Sequence, residues 1–289
     1  MKILILGGNG LVGHKILQIC RNHLPVEKFK IEATFREEKK SYKYLNYKIN
    51  ISNSFFNINV NNFESLSKVI NIYQPNLIIN CIGLTKKISN SSPPIHSIYL
   101  NSYFPHLLSN ICLLNNIKLI HLSTDCIFSG KKGNYLESDS SDATDIYGKT
   151  KYLGEIDNAN TLTLRSSILG PELVKVIGIY SWFIKSRGSV IGFDKAFFSG
   201  FTSVEIANII IFIIKNNINL SGVYHLSSYK ISKFDLLCKI KEINNLKIEI
   251  IKSDKEIYDR TLISEKFKKQ TGYVTPSWEF MLKDHNLNI

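Results

Sequence analysis

The sequence predicts an α/β protein whose core is a doubly wound parallel sheet, extended by a smaller lobe from the C-terminal part of the chain. Two observations support this prediction. Short apolar segments alternate with helical segments up to about residue 165, which is the βαβ pattern of a parallel sheet. The 289 residues are 44% hydrophobic, which is enough to fill the core of one large domain.

The first predicted strand, Lys2 to Leu6, runs directly into the turn GGNGLVG and then into a helix that reaches about Asn22. Glycines at Gly7, Gly10 and Gly13 permit a tight turn, close approach of the backbone to a pyrophosphate, and close packing of helix on strand. The helix N-terminus adds amide donors and a partial positive charge. This arrangement predicts a Rossmann-type dinucleotide site rather than an ordinary glycine-rich turn. The expected cofactor contacts are Gly7, Asn9, Gly10, Leu11 and Val12.

The second predicted strand, Ile31 to Phe35, ends at Arg36. A carboxylate at this point would hold the ribose hydroxyls of NAD, whereas a cation favours the additional phosphate of NADP. Glu37 and Glu38 follow one residue too late for the first role. The sequence therefore favours NADP(H), with NAD(H) as the alternative if Arg36 is only a solvated charge.

Three elements follow in order: a short strand at Phe55 to Val60, a helix at Asn62 to Tyr73, and a buried strand at Leu77 to Cys81. In a doubly wound sheet the ligand lies across the carboxyl ends of the strands. Cys81, Ile82 and Gly83 should therefore border the cofactor, and their apolar character indicates packing contacts.

A helix from about Ile95 to Asn115 carries Asn101 and is expected to pack on the next strand, Ile117 to Leu122. This strand is rich in apolar and β-branched residues. It delivers Ser123, Thr124 and Asp125 to its carboxyl end.

Beyond a polar loop, Tyr147, Lys151 and Glu155 recur at four-residue steps, so the spacing predicts that they share one helix face. A tyrosine phenol titrates at about 10, and a neighbouring lysine cation lowers its pKa by favouring the phenolate. Tyr147 is therefore a candidate proton donor and acceptor at a carbonyl. The same spacing occurs at Tyr44 with Lys48 and at Tyr229 with Lys233, but only the Tyr147 copy follows a strand that ends in Ser-Thr.

Beyond Gly170 the alternation of strands and helices loosens. The predicted elements are helices at Val174 to Arg187 and Ser203 to Lys215, and a strand at Gly222 to Leu226. Trp182 and Phe183 could stack on a nucleotide base, and Lys185 and Arg187 could bind a diphosphate. Core packing is the alternative for these side chains.

The formal charge is +12, but the basic residues are spread along the chain. Such a diffuse excess suits an acidic small ligand and argues against nucleic-acid binding. The five cysteines have neither metal-ligand spacing nor an even count, so reduced thiols are expected, and the seven histidines form no ligand pattern, so no metal is predicted. The longest apolar run, Ile206 to Ile214, is too short for a membrane span, and no signal-peptide core is evident. We expect a soluble, cytoplasmic protein with no membrane partner.

With these elements placed, the chain resembles the extended short-chain dehydrogenase/reductase superfamily, in particular its dTDP-4-dehydrorhamnose reductase branch. The matching segments are GGNGLVG at 7–13, NCIG at 80–83, STD at 123–125, YLESD at 135–139, YGKTKYLGE at 147–155, LRSSILG at 164–170 and FSGFTSVEIANII at 198–210. The resemblance covers nearly the whole chain. It implies an NADP(H)-binding Rossmann domain at 1–170, to which 201–227 returns, and a substrate-binding lobe formed by 171–200 and 228–289.

The resemblance also implies a mechanism. Thr124 would hydrogen-bond the substrate carbonyl, Tyr147 would protonate its oxygen, and Lys151 would hold the nicotinamide ribose and lower the pKa of Tyr147. Asn101 would border the cofactor and either support the proton relay or only fix its helix. The substrate contacts implied in this way are Thr124, Asp125, Cys126, Tyr135, Glu137, Tyr147 and Trp182.

Two departures from the family pattern are informative. Cys126 occupies a position where reductases of this branch often carry Tyr, and where dehydrating relatives carry a Glu or Lys acid. A 4,6-dehydratase activity is therefore not expected. Asn59 stands near the adenine where relatives usually have Asp, and its amide can accept the same hydrogen bond.

The expected function is NADP(H)-dependent reduction of a nucleotide-linked 4-keto-6-deoxy sugar, in surface polysaccharide or nucleotide-sugar synthesis. Two alternatives stay open: a nucleotide-sugar epimerase that uses the same three residues, and a non-catalytic NADP-binding regulatory subunit. Intact Thr124, Tyr147 and Lys151 favour an enzyme, because a binding module has no need of a tuned phenol. The expected partner is the nucleotide-sugar substrate, and a homodimer is left open.

Overall fold

The computed structural model describes residues 1–42, 51–173, 178–284 and 287. Its strands in chain order are β1 (Lys2–Leu6), β2 (Lys30–Thr34), β3 (Leu77–Asn80), β4 (Lys118–Ser123), β5 (Thr161–Arg165), β6 (Ile168–Leu169), β7 (Ser189–Phe193), β8 (Ala196–Phe198), β9 (Phe201–Thr202), β10 (Gly222–His225), β11 (Ile231–Ser232), β12 (Glu249–Ser253) and β13 (Tyr258–Asp259). Its α-helices are α1 (Gly13–His23), α2 (Phe63–Tyr73), α3 (Lys86–Ser91), α4 (Pro94–Ser97), α5 (Phe104–Leu114), α6 (Ile146–Leu153), α7 (Ile179–Lys185), α8 (Ser203–Lys215), α9 (Lys233–Ile243), α10 (Glu265–Thr271) and α11 (Trp278–Lys283).

The central sheet has six strands in the order β2-β1-β3-β4-β5-β10, and every neighbouring pair is parallel. The predicted doubly wound α/β fold is therefore confirmed. The chain leaves β1 for β2 on one side and returns to β3 on the other. Sheets of this kind bind ligands at the carboxyl ends of the strands, at the point where the winding reverses.

Helices cover both faces of this sheet, and β1 shows how the sequence arranges them. Ile3 and Ile5 face a core that includes residues of α1 and α8, whereas Leu4 and Leu6 face a core that includes residues of α2 and α5. All four side chains are 0% exposed, as expected for a central parallel strand with period-two alternation. Burying each contributes about 1.5–3 kcal/mol relative to exposure.

The predicted strand at Phe55 to Val60 is wrong. An isolated parallel bridge joins Phe55 to Thr34 at the end of β2, and the Phe55 amide donates to the Ala33 carbonyl at 2.9 Å, but no strand forms here. Asn57 has a φ of 58°, in the left-handed region, and this turn interrupts the extended run after two residues. The strand β2 is therefore an edge of the sheet.

The predicted helix at Ile95 to Asn115 is present in three parts. α4 leads into a π-helical segment, Ile98–Tyr103, which continues into α5. The helix predicted at Val174 to Arg187 is shorter than expected, since α7 spans Ile179–Lys185, and residues 174–177 lie outside the described residues, as does the Tyr44–Lys48 pair.

The chain after β5 contributes to two regions. α8 packs on α1, and β10 extends the central sheet beside β5. Elsewhere β7 pairs in parallel with β12, and β8 lies between β11 and β13. Within the described ranges, no helix combines the length and apolar content needed to cross a membrane.

Candidate active site

The glycine turn after β1 leaves no room for a side chain at Gly8 or at Gly13. Gly7 has a φ of +81°, and its carbonyl accepts from the Gly10 amide at 3.0 Å. A Cβ on Gly13 would lie 2.1 Å from the Gly7 carbonyl oxygen, and one on Gly8 would lie 2.7 Å from Cβ of Ala33. The helix α1 therefore starts directly against the end of β1, as close helix–strand packing in a dinucleotide site requires.

This turn fits the pyrophosphate of a dinucleotide. The first turn of α1 contains no acidic residue, and the first amides of a helix lack partners within the helix. Asn9, Gly10 and Leu11 are partly exposed. Val12, which directly precedes α1, is buried. The chemistry of the residues present thus suits NADP(H) or NAD(H), with the exposed part of the turn as the surface that would hold the phosphates.

The residues proposed for the adenosine end are at the surface. Arg36 is exposed at the end of β2, and its Nε donates to Oε1 of Glu37 at 3.0 Å. Asn59 is also exposed, and its side-chain oxygen accepts from the Asn61 amide at 3.1 Å. Lys39 and Lys40 follow in a short 3₁₀ helix and add two cations to this edge of the sheet, where Lys40 pairs with Glu38 at 2.7 Å.

The loop after β3 meets α6 at Gly83. A Cβ on Gly83 would lie 3.1 Å from Oδ1 of Asn101 and 3.8 Å from Nζ of Lys151. Cys81 and Ile82 are partly exposed beside it, and a Cβ on Gly7 would contact Ile82 at 3.1 Å. The structure thus brings the glycine turn, the NCIG segment and Lys151 to one edge of the sheet.

Asn101 joins these parts from within the π-helical segment. Its fully buried side chain accepts from the Leu84 amide at 2.8 Å and donates to the Thr150 hydroxyl at 3.3 Å. These bonds hold the loop after β3 against α6. π-Helical turns often lie at functional sites because they redirect one side chain out of the regular helix pattern.

Asp145 starts the helix that carries the candidate catalytic pair. Its side chain caps α6 by accepting from the Gly148 amide at 2.9 Å, and it also pairs with Lys86 at 2.7 Å. One turn further on, Nζ of Lys151 donates to the Leu122 carbonyl of β4 at 2.7 Å. Burial lowers the pKa of Lys151 to about 8, so its amine is still mostly charged at neutral pH.

Tyr147 lies beside Thr124, whose side chain is within hydrogen-bonding reach of the phenol. Burial raises the pKa of Tyr147, and the neighbouring Cys126 and Asp125 raise it further. The expectation that Lys151 lowers this pKa is not met here, because the ammonium is directed at the Leu122 carbonyl. Tyr147 is accordingly a neutral phenol at neutral pH, which is the form that donates a proton.

Glu155 does not share the helix face of Tyr147 and Lys151. The helix α6 ends at Leu153, and a Cβ on the following Gly154 would lie 1.8 Å from the Asn101 carbonyl oxygen. The chain therefore turns inward, and Glu155 pairs with Arg165 of β5. Four-residue spacing could not indicate this, because the helix ends two residues before Glu155.

Asp125 and Cys126 open a short 3₁₀ helix directly after Thr124. Asp125 is buried and accepts from the Thr124 hydroxyl at 3.2 Å. Cys126 is partly exposed, and burial of its thiol raises its pKa to about 12. The thiol is thus uncharged at neutral pH.

Tyr135 and Glu137 are held by the protein itself. Tyr135 is 2% exposed, stacks on Phe128 with ring centroids 4.1 Å apart, and accepts from the amides of Gly130 and Lys132 at 3.1 Å. Glu137 accepts from the His225 amide at 3.0 Å. Both side chains shape the loop beside the site, and direct contact of either with a sugar stays a prediction.

Trp182 lies in a groove of about 320 Å³. It is 42% exposed, and the groove is lined by Lys87, Ile179, Trp182, Ile191, Phe193, Lys233 and Leu237. Phe183 is 0% exposed and belongs to the core, so packing explains it and base stacking does not. Lys185 and Arg187 are exposed.

Two cations near the site were missed from the sequence. Arg260, beyond β13, donates from Nε to the Phe128 carbonyl at 3.0 Å, and its charge acts on Cys126 and Asp145. Lys86 pairs with Asp145. No local spacing relates Arg260 to α6, whereas the pattern DIYG at 145–148 contains a helix-capping signal for Asp145.

Comparison with known proteins adds independent information. The RmlD substrate binding domain family matches residues 1–285. The probable low-salt glycan biosynthesis reductase Agl14 of Haloferax volcanii is 25% identical over 174 residues, which cover 58% of this chain and 54% of that protein. A dTDP-4-dehydrorhamnose reductase of Aggregatibacter actinomycetemcomitans is 30% identical over 103 residues, which cover 35% of each protein.

A different kind of relative also matches. The methionine adenosyltransferase 2 subunit beta of Rattus norvegicus is 23% identical over 213 residues, which cover 66% of this chain and 61% of that protein. The matched segments thus span about a third to somewhat over half of the curated relatives. Among solved structures, dTDP-4-dehydrorhamnose reductase from Bacillus anthracis in complex with NADP has a TM-score of 0.78 at 21% identity, covering 98% of this chain and 97% of that one. At this identity the likeness establishes the fold.

Proposed function

Because the chain belongs to the RmlD substrate binding domain family, we propose that it is an NADP(H)-dependent reductase of a nucleotide-linked 4-keto-6-deoxy sugar. The family predicted from the sequence motifs is thereby confirmed. One observation carries the proposal: Thr124, Tyr147 and Lys151 meet at the end of β4, beside the glycine turn. A phenol, a hydroxyl and an ammonium gathered at the carboxyl ends of the strands favour an enzyme over a purely structural or binding role.

The chain's own residues supply the proton chemistry. Tyr147, neutral at neutral pH, would donate its proton to the carbonyl oxygen and regain one from solvent. The Thr124 hydroxyl would hydrogen-bond the same oxygen as negative charge develops there. Lys151 would hold the nicotinamide ribose. NADPH, when bound, would supply the hydride.

The cofactor preference rests on Arg36 and the lysines that follow it. The reductase from Bacillus anthracis was solved with NADP, which supports the same preference here. We expect Arg36→Ala to lower kcat/KM for NADPH by about tenfold, the loss of one exposed charge-assisted contact, and to leave the value for NADH nearly unchanged. An equal loss for both cofactors would contradict a role for Arg36 in phosphate recognition.

The groove around Trp182 supports a nucleotide-linked substrate. An aromatic face at its wall would stack on a base, and Lys87 and Lys233 would pair with a diphosphate. The charge of Arg260 acts on Asp145 and Cys126 near the start of α6, and it would favour an anionic substrate. Trp182→Ala should raise the KM for the sugar nucleotide several-fold with little effect on NADPH affinity, as measured by nicotinamide fluorescence.

The decisive test is oxidation of NADPH and of NADH with a panel of nucleotide-linked 4-keto sugars. Tyr147→Phe should reduce the rate by orders of magnitude while still binding NADPH. Tyr229→Phe is the matched control, because Tyr229 is exposed and stands four residues before Lys233. If neither wild type nor Tyr147→Phe oxidises NADPH with any member of the panel, the reductase proposal fails.

A non-catalytic regulatory subunit is the second candidate, and the match to methionine adenosyltransferase 2 subunit beta favours it. NADPH binding without turnover would support this candidate. An epimerase, the other alternative from the sequence, would interconvert two sugar nucleotides without net oxidation of NADPH.

We also propose a cytoplasmic location and a homodimer. Five large apolar side chains are exposed on the neighbouring α4, π-helical and α6 segments, and a second copy could cover them: Ile95, Ile98, Tyr103, Tyr152 and Leu153. Light scattering of wild type and Leu153→Glu would test the dimer, since the charged variant should be monomeric.

A further inference from the structure

Glu155 is held in a closed network behind the candidate catalytic residues. The side chains of Arg165 and Glu155 are 5% and 6% exposed. Oε1 of Glu155 accepts from the Ser123 hydroxyl at 2.6 Å and from Nε of Arg165 at 2.9 Å, and Oε2 accepts from Nη2 of Arg165 at 2.7 Å. A bidentate pair of this kind fixes the carboxylate in both position and orientation.

Hydrogen bonds from Lys151 and to Glu155 hold the end of β4 at two successive residues. Glu155 binds the side chain of Ser123, and Lys151 binds the carbonyl of Leu122. Thr124 directly follows Ser123. The same contacts therefore fix the position of Thr124 relative to α6. Arg165 is itself held by the Glu137 carbonyl at 3.3 Å and by Nε2 of His225 at 3.1 Å.

The groups that face Lys151 come from three elements. Cys81, after β3, is a neutral thiol because burial raises its pKa. His121, on β4, is a neutral imidazole because burial lowers its pKa well below the usual value. Among the described residues that act on Lys151, only Glu155 is a carboxylate, and its charge raises the pKa of Lys151 against the effect of burial.

We propose that Glu155 is a positioning residue: it fixes the end of β4 through Ser123, next to the Leu122 carbonyl that Lys151 binds, and it keeps Lys151 charged, while Arg165 fixes the Glu155 carboxylate. The inference rests on the proposed function only through the role given there to Lys151. Without the carboxylate, the buried ammonium would lose the opposing charge of Glu155 and release its proton at lower pH.

The test measures Lys151 directly. Trace acetylation with acetic anhydride, followed by mass spectrometry of the Lys151 peptide, reports the uncharged fraction of the amine from about pH 6 to about pH 10. In Glu155→Gln we expect the midpoint to fall by about one pH unit relative to wild type. Glu32→Gln is the matched control. Glu32, on β2, pairs with Arg21 of α1 at 2.6 Å, and removing the Glu32 charge should leave the Lys151 midpoint unchanged.

A second variant covers the case in which Glu155→Gln does not fold because Arg165 is left buried and unpaired. Glu155→Gln with Arg165→Gln removes both charges, and the same downward shift is expected because Glu155 is the member that acts on Lys151. An unchanged Lys151 midpoint in a folded variant overturns the proposal. A downward shift supports it whether or not the protein reduces any sugar, since the labelling needs neither cofactor nor substrate.

Discussion

Tyr147 and Lys151 stand four residues apart, and burial moves both toward their neutral forms. It raises the pKa of the phenol and lowers that of the ammonium to about 8. This follows from one physical cause, since a low-dielectric environment disfavours charge of either sign. The pair is therefore set to offer a proton at neutral pH.

This protonation pattern predicts a decline of the reductase rate as the pH rises through about 8, where Lys151 loses its charge. The fall should not come from unfolding through Lys151. Its folded-state pKa is lower than its unfolded value, so the unfolded chain binds more protons above pH 8 and this group stabilises the fold as pH rises. Initial rates across this range, with circular dichroism as the control, would test this. A flat rate up to about pH 10 would contradict it.

Gly13 supplies a second test at the scale of one residue. A methyl group here would meet the Gly7 carbonyl oxygen at 2.1 Å, so Gly13→Ala must displace the start of α1. We expect a loss of about 1–3 kcal/mol in stability and a much weaker NADPH affinity. Gly178→Ala is the control, because its nearest neighbour is the end of the Glu172 side chain at 3.3 Å. Unchanged NADPH affinity in Gly13→Ala would remove the argument for a tightly packed phosphate turn.

At the scale of elements, α6 is clamped at both ends by glycines that contact backbone. A Cβ on Gly148 would lie 2.3 Å from the Cys126 carbonyl oxygen, and one on Gly154 would lie 1.8 Å from that of Asn101. These two contacts place Tyr147 and Lys151 relative to the 3₁₀ helix at 125–127 and to the π-helical segment.

Gly154→Ala should therefore destabilise the protein by about 1–3 kcal/mol and lower the reductase rate, because α6 must move away from its neighbours. Urea unfolding and NADPH oxidation measure the two effects. An unfolding midpoint equal to that of wild type would show that the contact is easily relieved.

Regular elements were predictable from the sequence where a periodic apolar pattern ran uninterrupted, as in β1, β4 and α8. The strand expected at Phe55 to Val60 failed because Asn57 adopts a left-handed conformation that no periodicity reveals. The sequence also predicted those site residues that directly follow a strand or lie together on one helix. Glu155 was misread because α6 ends before it, and Arg260 was missed because its contacts join segments far apart in the chain.

For the molecule as a whole, three buried histidines predict sensitivity to acid. Burial lowers the pKa of His14 to about 4 and of His225 to about 3, and it lowers that of His121 well below 6.5. The unfolded chain therefore binds more protons than the folded one below pH 6.5. Stability is present above that pH and is lost as pH falls toward the folded values.

Each such histidine contributes a slope of about 1.4 kcal/mol per pH unit once the unfolded side chain is protonated. Urea unfolding at successive pH values should show this decline between about pH 6 and about pH 4. His14→Gln should flatten it by roughly one histidine's share. A wild-type unfolding free energy independent of pH over this range would contradict the assignment of neutral buried imidazoles.

The π-helical segment Ile98–Tyr103 also determines how a one-residue deletion in this helix would act, both in alignments with relatives and in engineered variants. Its wide turn accommodates one residue more than an α-helical turn would. Deleting one residue there would restore an ordinary helix with α4 and α5 close to their present register, but it would change the direction in which Asn101 projects. Asn101 could then no longer bridge Leu84 and Thr150. A relative with a one-residue gap at this point must therefore attach the loop after β3 to α6 by other means.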